Sequence, residues 1–309
     1  MYMLLHVFFP LHFPSLFFSP FRFLILFLSS SIQNFSAMAI PIKFSVLLRF
    51  LFLFSLFLFS VSDSDSPSAH QHRVFPRPLI VEHAGVAEVE EEVRLRCGAW
   101  RVAGEANNLG EWKTVPKECA EFVKEYMTGK GYLVDLEMVS KEAEEYAKSV
   151  KLSDDGKDAW IFDIDETLLS NLPYYSAHGY GLEVFDHDKF DDWVETGGAP
   201  AIEPSLKLYE GVLSLGFKVI LLTGRSERHR SVTIDNLVNA GFKEWDQLIL
   251  RRSEDQGKRA VVYKSEKRSE MEKDGYRILG NSGDQWSDLL GSSLSVRSFK
   301  LPNPMYYIP

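Results

Sequence analysis

Between residues 159 and 300 the chain alternates short apolar runs with longer amphipathic ones, a pattern that few folds accept. The apolar runs lie at 159–163, 218–222, 248–250, 276–279 and 296–300. They are short and rich in Ile, Leu, Val and aromatic residues, so they read as buried strands. Amphipathic helical stretches at 205–215, 228–240, 265–274 and 284–290 separate several of them. Strands and helices in this order predict an α/β fold, a Rossmann-like parallel sheet flanked by helices on both faces. Ligands of such a sheet sit at the carboxyl ends of its strands.

Three of those ends are chemically loaded. The first reads Asp163-Ile-Asp165-Glu-Thr167, the second Thr223-Gly224-Arg225, and the fourth Asn281-Ser-Gly-Asp284, with Asp288 four residues on. Carboxylates gathered at one edge repel each other unless a cation sits among them. An all-oxygen donor set points to a hard ion, Mg²⁺ above all. Taken alone, the Asp163–Thr167 turn is equally an acidic strand-to-helix turn capped by Thr167. Matching features at two further strand ends, in the right order, argue for a site.

Longer strings around these ends resemble the haloacid dehalogenase superfamily of aspartyl-phosphate hydrolases. Within it, the chain is similar to the plant acid phosphatase and vegetative storage protein family, which is itself like the class B acid phosphatases. The likeness runs from Cys97-Gly-Ala-Trp-Arg-Val-Ala-Gly-Glu-Ala-Asn-Asn108 to Lys300-Leu-Pro-Asn-Pro-Met-Tyr-Tyr307. It includes Glu254-Asp-Gln-Gly-Lys258, Tyr263-Lys-Ser-Glu-Lys-Arg268 and Gly280-Asn-Ser-Gly-Asp-Gln-Trp-Ser-Asp288. The resemblance implies a Mg²⁺-dependent acid phosphatase acting on small-molecule phosphate monoesters. Asp163 would be the nucleophile, and Asp165 the acid and then the base. Metal ligation would fall to Asp163, the Asp165 main-chain carbonyl and Asp284, with Asp288 orienting the shell. Thr223, the Gly224 amide at a helix N-terminus, and Lys264 would bind the phosphoryl group.

The family also contains storage proteins, so a storage protein with the same fold and little catalysis is the alternative. The storage proteins that this chain resembles lack the nucleophilic aspartate; here Asp163 is present. Dehalogenase chemistry is disfavoured because that branch lacks the second aspartate. Lys258, Arg259, Lys267 and Arg268 surround Lys264 in sequence and read as solvated surface. Arg225 reads either as a substrate contact or as a surface salt bridge. Residues 171–200 interrupt the core as a small cap, and its Tyr174, Tyr175, His178, Tyr180, Phe185, His187 and Trp193 either sort leaving groups or pack on themselves.

Ahead of the core at 159–309, helical periodicity begins at Pro116 and stops at Gly129, with a second helix at about 136–150. These form an N-terminal extension of a domain covering 91–309, preceded by a flexible lead at 63–90 that contains His70 and His72. Residues 1–62 are different material: they hold Arg22, Lys43 and Arg49, no acidic residue, and 15 of the 23 Phe. The run at 44–61 followed by Ser60-Val-Ser62 has the form of a cleaved signal peptide, read most simply from Met38. The competing reading is a membrane anchor, because 3–29 is long enough to span a bilayer. Without this leader the chain carries 31 basic and 43 acidic residues, a formal charge of −12. That balance disfavours nucleic-acid binding. Export to the cell exterior or vacuole favours a Cys97–Cys119 disulfide over two buried thiols. Oligomeric state is left open, with a homodimer compatible.

Overall fold

The computed structural model describes residues 86–309; the leader, the cleavage expected near Asp63 and the His70 and His72 pair lie outside the described residues. Helices α1 (Val86–Glu105), α2 (Ala120–Thr128) and α3 (Lys130–Ser149) precede the sheet. Its strands are β1 (Asp158–Phe162), β2 (Lys218–Ser226), β3 (Gln247–Arg251), β4 (Arg277–Gly283) and β5 (Arg297–Lys300). Helices α4 (Leu172–Ala177) and α5 (His187–Glu195) form an insertion after β1, where the cap was expected. Helices α6 (Glu203–Ser214), α7 (Arg230–Asn239), α8 (Ala260–Lys273) and α9 (Trp286–Leu289) occur among the remaining strands.

The strand order is β3-β2-β1-β4-β5, and every pairing is parallel. Alternate side chains therefore leave opposite faces. Trp160, Phe162, Val219, Leu221 and Phe299 join Ala143, Ala147, Leu208, Tyr209 and Leu237 in one core. Ala159, Ile161, Ile220, Leu222 and Ile278 join Tyr263 and Met271 of α8 in the other. Burying a large apolar side chain of this kind stabilises by about 2–3 kcal/mol. Gly280 is required opposite the fully buried Trp160, because a Cβ there would meet the indole at 2.3 Å. Among the described residues no helix is long and apolar enough to cross a membrane.

The N-terminal helices build a third core, in which Cys97, Cys119, Val123, Met127, Tyr132 and Leu136 meet Tyr174, Tyr175, Leu301 and Met305. Helix α1 begins before the helical signal expected at Pro116, and its first five residues fall in the segment read as a flexible lead. Its inward stripe of Cys97, buried, with the partly buried Val93 and Trp100 is narrow and overlaps the charged run Glu88–Arg96, which hides the period. Helix α3 likewise starts earlier than expected, because Tyr132 extends the stripe of Leu136, Ala143 and Ala147.

Cys97 and Cys119 are joined, with a Cα–Cα distance of 5.3 Å, and the bridge ties α1 to the turn before α2. Closing a 22-residue separation removes loop entropy from the unfolded chain, equivalent to about 3 kcal/mol. Replacing both cysteines by Ala should therefore lower unfolding stability by roughly that amount. Urea denaturation with and without reductant checks it; coincident midpoints would remove the bridge from the stability account.

Candidate active site

The carboxyl ends of β1, β2 and β4 lie side by side at the centre of the sheet, and they carry the residues picked from the sequence. Asp163 follows β1 directly, and its amide is held by the Ser282 carbonyl of β4 at 3.0 Å. Asp284 follows β4, and Asp288 comes from α9. A carboxylate oxygen from each of Asp163, Asp284 and Asp288 lies within 4.8 Å of the others, and all three residues are buried. Gly283 permits this, since a Cβ there would meet the Asp288 side chain at 2.5 Å. Thr167 is no helix cap: it is fully buried and its hydroxyl donates to Asp284 Oδ1 at 3.3 Å.

Lys264 enters from α8 and is buried, not solvated. Its Nζ donates to Asp163 Oδ1 at 2.5 Å and also to Asp288 Oδ1. Burial alone would lower its pKa, but the Asp163 and Asp288 charges outweigh that and hold it above the usual lysine range. Burial pushes the Asp163 carboxyl well up, with Lys264 pulling it the other way. Burial, reinforced by the Asp288 and Glu166 charges, pushes the Asp284 carboxyl up to about 7. Of three buried acids, two share the Lys264 ammonium and Asp284 does not touch it, and the negative charge left over suits a hard dication.

Asp165 sits apart from this cluster and is differently held. Burial acts to raise its pKa, yet the Arg225 guanidinium and the Asn171 amide hold it below the usual carboxylate range. Arg225 is buried at the end of β2, and its Nη2 donates to Asp165 Oδ1 at 2.7 Å. The surface salt bridge weighed for this residue is therefore wrong. Asn171, which no sequence signal singled out, donates to the same oxygen at 2.9 Å. The cap residue Trp193 donates to Asn171 Oδ1 at 2.8 Å, so the insertion is wired to Asp165. The next residue in the chain, Glu166, is fully buried at a left-handed φ of 53° and accepts from the Asn171 and Tyr306 side chains. Strain of this kind collects at functional sites.

Thr223 and Gly224 lie at the same edge. The Thr223 hydroxyl accepts the Arg225 amide at 3.1 Å and lies 3.4 Å from Asp165 Oδ2. Gly224 differs from expectation: it belongs to β2, which runs on to Ser226, and is not at a helix N-terminus. Arg268 also departs from the solvated role expected of it. It is fully buried and donates to the carbonyls of Asp288, Leu290, Ser292 and Ser293, pinning the loop after α9.

Asp163, Asp165, Gly224, Arg225, Lys264, Asp284 and Asp288 line a cavity of about 340 Å³. Phe185, His187 and Phe190 of the insertion line it as well. The other cap aromatics pack inward instead: Tyr174 stacks on His178 at 4.2 Å and Tyr175 on Tyr306 at 5.0 Å.

Parallel order, a loaded switch edge and an insertion after the first core strand are the architecture of the haloacid dehalogenase superfamily. Within it the chain belongs to the HAD superfamily, subfamily IIIB (acid phosphatase), whose family model matches residues 82–309. It is 67% identical over 237 residues to Acid phosphatase 1 of Solanum lycopersicum, covering 76% of this chain and 91% of that one. It is 42% identical over 231 residues to Vegetative storage protein 2 of Arabidopsis thaliana, covering 72% and 86%. Among solved structures, the class C acid phosphatase from Bacillus anthracis shares the fold. The TM-score is 0.50 at 23% identity, over 60% of this chain and 83% of that one.

Proposed function

We propose that this chain is a Mg²⁺-dependent phosphomonoesterase that works through an aspartyl-phosphate on Asp163. The observation that carries the reading is the buried cluster of Asp163, Asp284 and Asp288, two of them paired with Lys264, open to the cavity that Asp165 also lines. Asp163 and Asp284, with the Asp165 main-chain carbonyl, would hold the cation, and Asp288 would orient the shell through Lys264 and the Gln285 amide. When bound, the cation shields the phosphate dianion from the carboxylate that attacks it.

A carboxylate oxygen of Asp163 attacks phosphorus while the bond to the leaving oxygen breaks. Asp165, which must first take up a proton against the pull of Arg225, gives it to that oxygen, then takes one from the water that attacks the phosphorus of the aspartyl-phosphate, breaking its bond to Asp163 and releasing phosphate. Thr223 Oγ1, the Gly224 amide and Lys264 hold the phosphoryl oxygens as charge moves between them. Phe185 and Phe190 place apolar surface beside the leaving group. Export belongs to the same reading, supported by the Cys97–Cys119 bridge, which persists in oxidising compartments.

The test is a panel of phosphate esters against purified residues 63–309, with Mg²⁺ and with chelator. Turnover that chelator abolishes and Mg²⁺ restores is expected; no metal-dependent turnover hands the chain to the storage reading. Protons and cation compete for the same carboxylates, and Asp284 is pushed up to about 7. The Mg²⁺ concentration giving half-maximal rate should therefore rise as pH falls below that value. Equal half-saturation at about pH 5.5 and 7.5 would count against carboxylate ligation.

A further inference from the structure

Residues 301–309 form no helix or strand, yet Leu301, Asn303 and Met305 are buried. The segment is strapped across the acidic cluster. Asn303 Nδ2 donates to Asp284 Oδ2 at 2.7 Å, and Gln285 Nε2 donates to the same oxygen at 2.7 Å. Among the described residues, the other oxygen, Oδ1, accepts only the longer hydrogen bond from Thr167, at 3.3 Å. Asn303 is itself held twice over. Its amide donates to Glu105 Oε1 at 2.8 Å, and its Oδ1 accepts the Met305 amide at 3.0 Å.

Glu105, at the end of α1, is the buckle of this strap. Its second carboxylate oxygen accepts Lys300 Nζ at 2.7 Å, and its carbonyl accepts the Trp286 indole at 2.9 Å. On the far side the Ile308 amide donates to Gln285 Oε1 at 2.9 Å. The strap is therefore clipped on both sides of Asp284, by groups that do not belong to the acidic cluster.

We propose that Asn303 is a positioning residue for the metal site: with Gln285 it occupies Asp284 Oδ2, fixes the carboxylate plane and leaves Oδ1 for the cation. Donors that orient a ligating carboxylate set metal affinity although they never touch the ion. Glu105 acts one step further out, by holding Asn303 in place. The inference rests on the Mg²⁺-dependent reading above.

The experiment is calorimetric titration of Mg²⁺ alone into the mature protein, without substrate, for wild type and Asn303→Ala. Affinity should fall about tenfold or more in the variant. In the assay the half-saturating Mg²⁺ concentration should rise by a larger factor than kcat at saturating Mg²⁺ falls. A merely structural lesion would lower kcat or the melting temperature and leave the Mg²⁺ dependence in place. Asn303→Ala also strips the Met305 amide of its acceptor, so Glu105→Ala serves as a second variant, with affinity expected to fall about threefold or more. If the wild type binds Mg²⁺ and either folded variant matches it within about twofold, the positioning role is overturned. A wild type that binds no Mg²⁺ overturns the functional reading instead.

Discussion

Asp163→Asn should lower kcat/KM toward an aryl phosphate by about a thousandfold or more, without lowering the melting temperature. The amide lacks the anionic oxygen that attacks phosphorus, so the first covalent step disappears. Stability should go the other way. Asp163 is buried among Asp284, Asp288 and Asp165, whose charges oppose its ionisation along with burial itself. An isosteric neutral amide relieves that repulsion, while Lys264 keeps Asp288 as its partner. Turnover in phosphate-labelled mass spectrometry gives the complementary readout: the wild type should carry a phosphoryl group on Asp163, and the variant none. An Asp163→Asn protein that keeps a tenth of wild-type activity would place the nucleophile elsewhere. One that loses activity together with its fold would say nothing about chemistry, and the melting temperature distinguishes the two.

The division between what sequence reveals and what it hides follows sequence distance. Asp163, Asp165, Thr223 and Asp284 are legible because each sits where a short apolar run ends, and strand ends of a parallel sheet converge by topology alone. Gly224 lies at that edge as its motif implies, but not at a helix start, since the strand continues past a glycine that ordinarily ends one. The supporting residues are a different matter. Arg225 reaches a carboxylate 60 positions away, and Asn303 meets Glu105 across 198 positions. No local period or motif marks such pairs. Lys264 and Arg268 are i and i+4 on α8, so one face of that helix carries two buried cations toward the site. Read in sequence, both stand in a basic cluster that would ordinarily be solvated, and only the Tyr263-Lys-Ser string singles out Lys264. Their burial depends on the carboxylates and carbonyls that wait for them, which only the fold brings within reach.

Asp165→Asn should divide substrates by the quality of their leaving group. An alkyl phosphate must receive a proton as its bond to phosphorus breaks, so removing the acid should cost roughly a thousandfold there. A nitrophenolate departs without a proton, so the first step should survive in the variant. The second step then lacks its base, and the phosphoryl group should accumulate on Asp163, giving a burst of nitrophenol followed by slow turnover. The structure also specifies the control. Asp165 is the charged partner of Arg225, whose side chain is only 2% exposed. Neutralising one member of a buried pair leaves the other uncompensated, which destabilises by about 3–5 kcal/mol. Asp165→Asn alone can therefore lose activity by loosening the edge of β2. Adding Arg225→Gln removes the stranded charge and should recover most of that stability, without restoring alkyl phosphate hydrolysis. Equal fractional losses on alkyl and aryl substrates, in a double variant as stable as the wild type, would take Asp165 out of proton transfer and leave it as an anchor for Arg225.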